Sequence, residues 1–189
     1  MKTAWSRRVW LGTAAFVAAG WLVRPRTAIA ATASEIYQDA TTALQRLYAA
    51  QPSTRTLGDR AKAILVFPRI VKAGLLVGGQ TGDGVLLTNG NPDGYYNISA
   101  VSFGLQIGAQ AFSYALFFMN DTALEYLKKS EGWSIGAGPS VVALDKGAAA
   151  SITSTTLTQD VYAVPFGQQG LMAGMGIEGS KITHINPSG

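Results

Sequence analysis

The sequence predicts an α+β domain: a strongly curved antiparallel sheet, or partly closed β-barrel, braced by N-terminal helices and one inserted helix. Three observations carry this. Beyond residue 62, short apolar or alternating runs recur between clusters of Gly, Pro, Asn and Asp, the pattern of many short strands. Before them, residues 32–51 have helical apolar spacing and a capping signature. Within the strand region, residues 120–130 return to a helical pattern.

The chain has 189 residues, 48% hydrophobic and 14% charged, enough for one core of ordinary size plus a leader. Residues 1–30 read as a cleavable export signal: Lys2, Arg7 and Arg8, then an apolar run, then Ala28-Ile29-Ala30 as the cleavage site. Ser6-Arg7-Arg8-Val9-Trp10-Leu11 has the form of a twin-arginine signal, with an ordinary secretory signal as the alternative. Residues 31–189 would then form the exported domain, at work in the periplasm or cell envelope. The whole-chain charge of +4 misleads about partners. Removing the five leader cations leaves ten Lys and Arg against eleven Asp and Glu, a formal charge of −1. A nucleic-acid partner is therefore not expected.

In Thr32-Ala33-Ser34-Glu35, Thr32 and Glu35 have capping-box spacing. Ile36, Ala40, Ala43, Leu44 and Leu47 follow on one helical face, and Pro52 ends the helix. Only Arg46 puts positive charge on its polar side, so packing on a sheet is expected over lying on a membrane. A short second helical turn is expected within residues 53–62. Ala63-Ile64-Leu65-Val66-Phe67 reads as a strand covered on both faces, closed by Pro68. Asp83-Gly84 reads as a tight hairpin turn with Gly84 at positive φ, and Val85-Leu86-Leu87 as the return strand. Residues 89–94 concentrate turn signals, and Tyr96, Ile98 and Ala100 alternate with polar neighbours as in a half-exposed strand. A longer strand is expected over 105–119, with Gly104 and Gly108 marking bends. Thr122 and Glu125 are expected to cap the inserted helix. Further strands are expected over 135–144, 150–157, 160–166 and 170–185.

FPRIVKAGLLVGGQTGDGVLL, GYYNISAVSFGLQIGAQAFSYALFFMND, the Gly132-Trp133 corner, Gln169-Gly170-Leu171-Met172 and Glu178-Gly179-Ser180-Lys181-Ile182 occur in that order. Together they resemble the SYLF, or Ysc84-like, family over residues 34–185. The resemblance implies a phospholipid-binding domain without enzymatic chemistry. Its eukaryotic relatives are linked to phosphoinositides and, in fungi, to actin; the SH3 and FYVE segments of some relatives are not found here.

The catalytic and metal inventory is thin. There are no cysteines and one histidine, His184, and no G-x-S-x-G elbow, so neither a thiolate site nor a serine triad can be assembled. No enzyme activity, cofactor or metal is expected. Gly79 to Gly84 lack the helix that a phosphate loop requires.

Two candidate surfaces remain. Arg60, Lys62, Arg69 and Lys72 concentrate positive charge, offset locally only by Asp59. They read either as a patch for an anionic phospholipid or membrane surface, or as four separate solvated charges. The aromatic run that includes Phe112 and Phe117 reads either as core or as the lining of an acyl-chain groove. The alternative function is an envelope structural or interaction module that meets a protein or glycan. The sequence leaves the lipid and the oligomeric state open.

Overall fold

A computed structural model describes residues 31–75, 77–103, 108–145, 147–148, 157–170 and 179–189. The expected export signal, residues 1–30, and the strand expected over 150–157 lie wholly or mostly outside the described residues, as does Gly104.

Helix α1 spans Ala33–Ala50. Its capping box is formed as expected: the Thr32 hydroxyl accepts from the Glu35 amide at 3.2 Å, and Glu35 Oε2 accepts from the Thr32 amide at 2.8 Å. Two otherwise unpaired amides are thereby satisfied. Ile36, Ala40, Ala43 and Leu47 are buried, so the helix packs on the sheet through the stripe that its spacing marks out. Helix α2 (Thr54–Arg60) follows directly and buries Leu57 under the same face.

The strands are β1 (Ala63–Leu75), β2 (Val77–Thr88), β3 (Asn91–Phe103), β4 (Gly108–Phe118), β5 (Trp133–Ser134), β6 (Val141–Ala143), β7 (Val161–Gly170) and β8 (Lys181–Ile185), with helix α3 (Asp121–Lys129) between β4 and β5. They form one strongly curved eight-stranded sheet, a half-barrel in the order β5-β8-β3-β2-β1-β4-β7-β6. All pairs are antiparallel except β6 with β7, so the sheet is mixed. The segment 135–144, expected as one strand, leaves the sheet after Trp133–Ser134 and rejoins it at the opposite edge as β6.

Two expectations for β1 and β2 are corrected. Pro68 does not close β1; the strand continues to Leu75 through a bulge between Phe67 and Ile70. Proline has no N–H to give to the ladder, so the irregularity falls where pairing would fail anyway. Ser113 compensates by donating its hydroxyl to the Pro68 carbonyl at 2.7 Å. The hairpin turn is also elsewhere. Asp83 and Gly84 are paired residues inside β2, opposite Asn97 and Tyr96, and Gly84 is not among the positive-φ residues. The β2–β3 turn is made by Asn89 (φ 52°) and Gly90 (φ 80°), the Asn-Gly chemistry suited to a two-residue hairpin.

The sheet has a core on each face. Leu65, Phe67, Ile70, Ile98, Phe112, Tyr114, Leu116 and Phe118 pack beneath α3 and Trp133. Val66, Val85, Leu87, Ala115, Phe117 and Val164 pack beneath α1 and α2. Strict alternation along β4 separates the two sets. Helix α3 is capped by Asn120, whose side chain accepts from the Ala123 amide at 2.8 Å, rather than by the expected Thr122.

Asp160 ties this region together. Its Oδ1 accepts from Asn120 Nδ2 at 2.7 Å, and its Oδ2 from the Ser140 amide and hydroxyl, each at 2.9 Å. The Ser140 amide first, then the Asn120 and Ser140 side chains, hold its carboxyl below the usual aspartate value. A carboxylate whose folded pKa is depressed adds stability above its unfolded value of about 4 and loses it as pH falls through the folded value. Urea midpoints of wild type should therefore fall more steeply below about pH 4 than those of Asp160→Asn. Parallel curves for the two proteins would contradict this role.

Candidate functional site

The four candidate cations do not share one surface. Arg60 ends α2 and Lys62 precedes β1; Lys62 pairs with Asp121 at 3.4 Å. Arg69 lies seven residues further on, about 20 Å along an extended strand. The bulge changes the alternation, so Lys72 follows Ile70 onto the α3 face, where it is 9% exposed. There it stands between Gln80 and Gln110 in the cross-strand register. Gln80 Nε2 donates to Ser180 Oγ at 2.9 Å, whereas both amide atoms of buried Gln110 lack a partner among the described residues. Phe112 and Phe117 also separate: each is buried, in the α3-side and α1-side cores respectively. Of the two rings, Phe112 borders the cleft described below and Phe117 does not.

Arg69 instead meets a residue that sequence reasoning set aside. The bulge turns it toward α1, where it and Arg46 line a cleft of about 480 Å³. The walls are one side of α1, the Pro68-Arg69 bulge, Ala111 to Ser113 on β4, and the Phe166 to Gln169 stretch of β7. Neither guanidinium makes an ion pair or side-chain hydrogen bond with another described residue. Asp39 is the one acid on the lining, and Gln51, also on it, has a buried Oε1 without a partner among the described residues. Alanines 43, 50 and 111 supply apolar wall. The signal in the sequence was faint: Arg46 is the lone cation on an otherwise uncharged stretch of α1, and only the fold shows what it faces.

A second depression runs along α3 and is lined by Asp121, Glu125 and Lys129, with two acids to one base. Among the described residues no group of three His, Cys, Asp or Glu could hold a metal. His184 packs edge-on to Tyr96, with ring centroids 5.3 Å apart. No described helix is long and apolar enough to cross a membrane.

Residues 99–186 match the family model described as Ysc84, Las17-binding protein actin regulator. Over those residues the chain is similar to the Ysc84-like, or SYLF, family. The matched segment begins in β3 and ends just after β8. It cannot be the whole folding unit, because β1 and β2 lie outside it and fill the centre of the sheet between β3 and β4. The folded unit around the match thus takes in β1 and β2, together with α1 packed on their sheet and with it Arg46. Comparison with curated proteins gives no match.

Proposed function

We propose that this SYLF-like domain binds phospholipids with anionic headgroups and performs no chemistry on them. The observation that carries the reading is the meeting of Arg46 and Arg69, from a helix and a strand bulge, in one cleft without an ionic partner among the described residues. Guanidinium groups bind phosphate oxygens through paired, charge-assisted hydrogen bonds. The alanine-lined wall beside them offers contact to the glycerol and the first methylenes of a lipid. We propose further that the domain works in the cell envelope after export, supported by the basic start, apolar run and Ala28-Ile29-Ala30 of the leader.

Each cation near an anionic lipid surface contributes about 1 kcal/mol, so losing both arginines should weaken binding by roughly thirtyfold. The test titrates the purified protein with dihexanoyl phosphatidylglycerol below its micelle concentration, with dihexanoyl phosphatidylcholine as control. Wild type should prefer the anionic lipid, and Arg46→Gln/Arg69→Gln should lose that preference without a shift in melting temperature. Equal affinity in wild type and double variant would reject the cleft. Absence of binding to either lipid would favour the envelope interaction module, with a protein or glycan partner.

A further inference from the structure

Helix α1 covers only part of its sheet face. Beyond the bulge the same face continues along Val71 and Ala73 of β1, Val77 and Gly79 of β2, Val101 of β3, and Ala109 of β4. All six are exposed; Val71 is 39%, Val77 56% and Val101 69% accessible. These valines are three of the five large hydrophobic residues exposed among the described ones. Val101 faces Gly79, Gly79 faces Ala73, and Ala73 faces Ala109, so the residues form a row across four strands. Val71 stands opposite Ala111, which lines the arginine cleft, and the apolar face is therefore continuous with it.

The charge distribution indicates the occupant. On the strand segments 69–75, 77–82, 98–103 and 108–112 there are two charged residues, Arg69 and Lys72, and neither Asp nor Glu. The acids near the sheet's other end include Asp93, Asp121, Glu125 and Asp160. An apolar face next to two cleft arginines, on strand segments that carry no acid, complements an anionic bilayer, whose headgroups attract the cations while its interface receives the side chains. A contiguous exposed apolar face of this kind marks an interaction surface.

We infer that this end of the sheet docks into an anionic membrane surface, with Val77 and Val101 entering the interface and Arg69 and Arg46 at headgroup level. The inference rests on the phospholipid reading above and adds a bilayer, and an orientation on it, as the partner. Protein meets lipid through strand ends, and α1 stays packed on its sheet.

The test uses the absence of native cysteine. Val77→Cys, Val101→Cys and, as a control on the β6 edge, Val142→Cys are each labelled with an environment-sensitive fluorophore. Each is mixed with vesicles of phosphatidylglycerol and phosphatidylcholine. The expected result is a blue shift and protection from an aqueous quencher at positions 77 and 101 but not at 142. Unlabelled Val77→Asp/Val101→Asp should lose at least tenfold in vesicle co-sedimentation, while its affinity for dihexanoyl phosphatidylglycerol and its melting temperature stay at wild-type values. Vesicle binding without a shift at 77 and 101 would overturn the proposed orientation and leave the headgroup cleft standing. Binding of soluble lipid without binding of vesicles would overturn the docking, again leaving the cleft. A shift that grows with protein concentration in the absence of lipid would assign the face to a second copy of the chain and overturn the inference.

Discussion

Gly84→Val should destabilise the protein by about 3 kcal/mol or more, at the upper end of what overpacking a core costs. A Cβ on Gly84 would collide with the Val66 carbonyl oxygen and the Phe67 ring of the neighbouring strand. Rotating the new side chain cannot relieve this, because the Cβ itself and a backbone oxygen collide. Two strands that are each buried on both faces would have to separate. A valine and an asparagine discriminate this cause from the turn that Asp83-Gly84 predicts. Asparagine tolerates positive φ, so Gly84→Asn would be mild in a turn and as damaging as valine inside β2. Gly90→Asn, at φ 80° with nothing near its missing Cβ, should cost little. Urea midpoints of the three variants check the ordering, and a wild-type midpoint for Gly84→Val would refute it.

The second large effect is expected at Trp133. It is 1% exposed, beneath α3, with ring centroids 5.9 Å from Phe118 and 6.5 Å from Tyr126. Its Nε1 donates to the Ala137 carbonyl at 2.9 Å, which folds the chain back after β5. Trp133→Ala removes a large part of the α3-side core and should cost about 3–5 kcal/mol, a major share of a domain's typical 5–15 kcal/mol. Trp133→Phe keeps much of the packing and loses the hydrogen bond, so about 1–2 kcal/mol is expected. Trp133 is the one tryptophan beyond residue 30, so unfolding is followed by circular dichroism rather than fluorescence. Equal losses for alanine and phenylalanine would show that the hydrogen bond, not the packing, holds the corner.

By itself the sequence determined the features whose causes lie within a few residues. The capping box at Thr32 and Glu35, the apolar stripe of α1 and the helix within residues 120–130 all follow from helix periodicity and local hydrogen bonding. So did the curved, glycine-rich sheet as a class. Tertiary structure decided everything that depends on pairing between distant segments. It drew Asp83-Gly84 into a strand, because two flanking ladders outweigh a local turn preference. It sent Lys72 to the opposite face, because one bulged residue changes the alternation. It brought Arg46 beside Arg69, which no periodicity connects, since one sits on a helix and the other on the bulge beneath it. Register in a sheet is a long-range property, set by which strands meet and where.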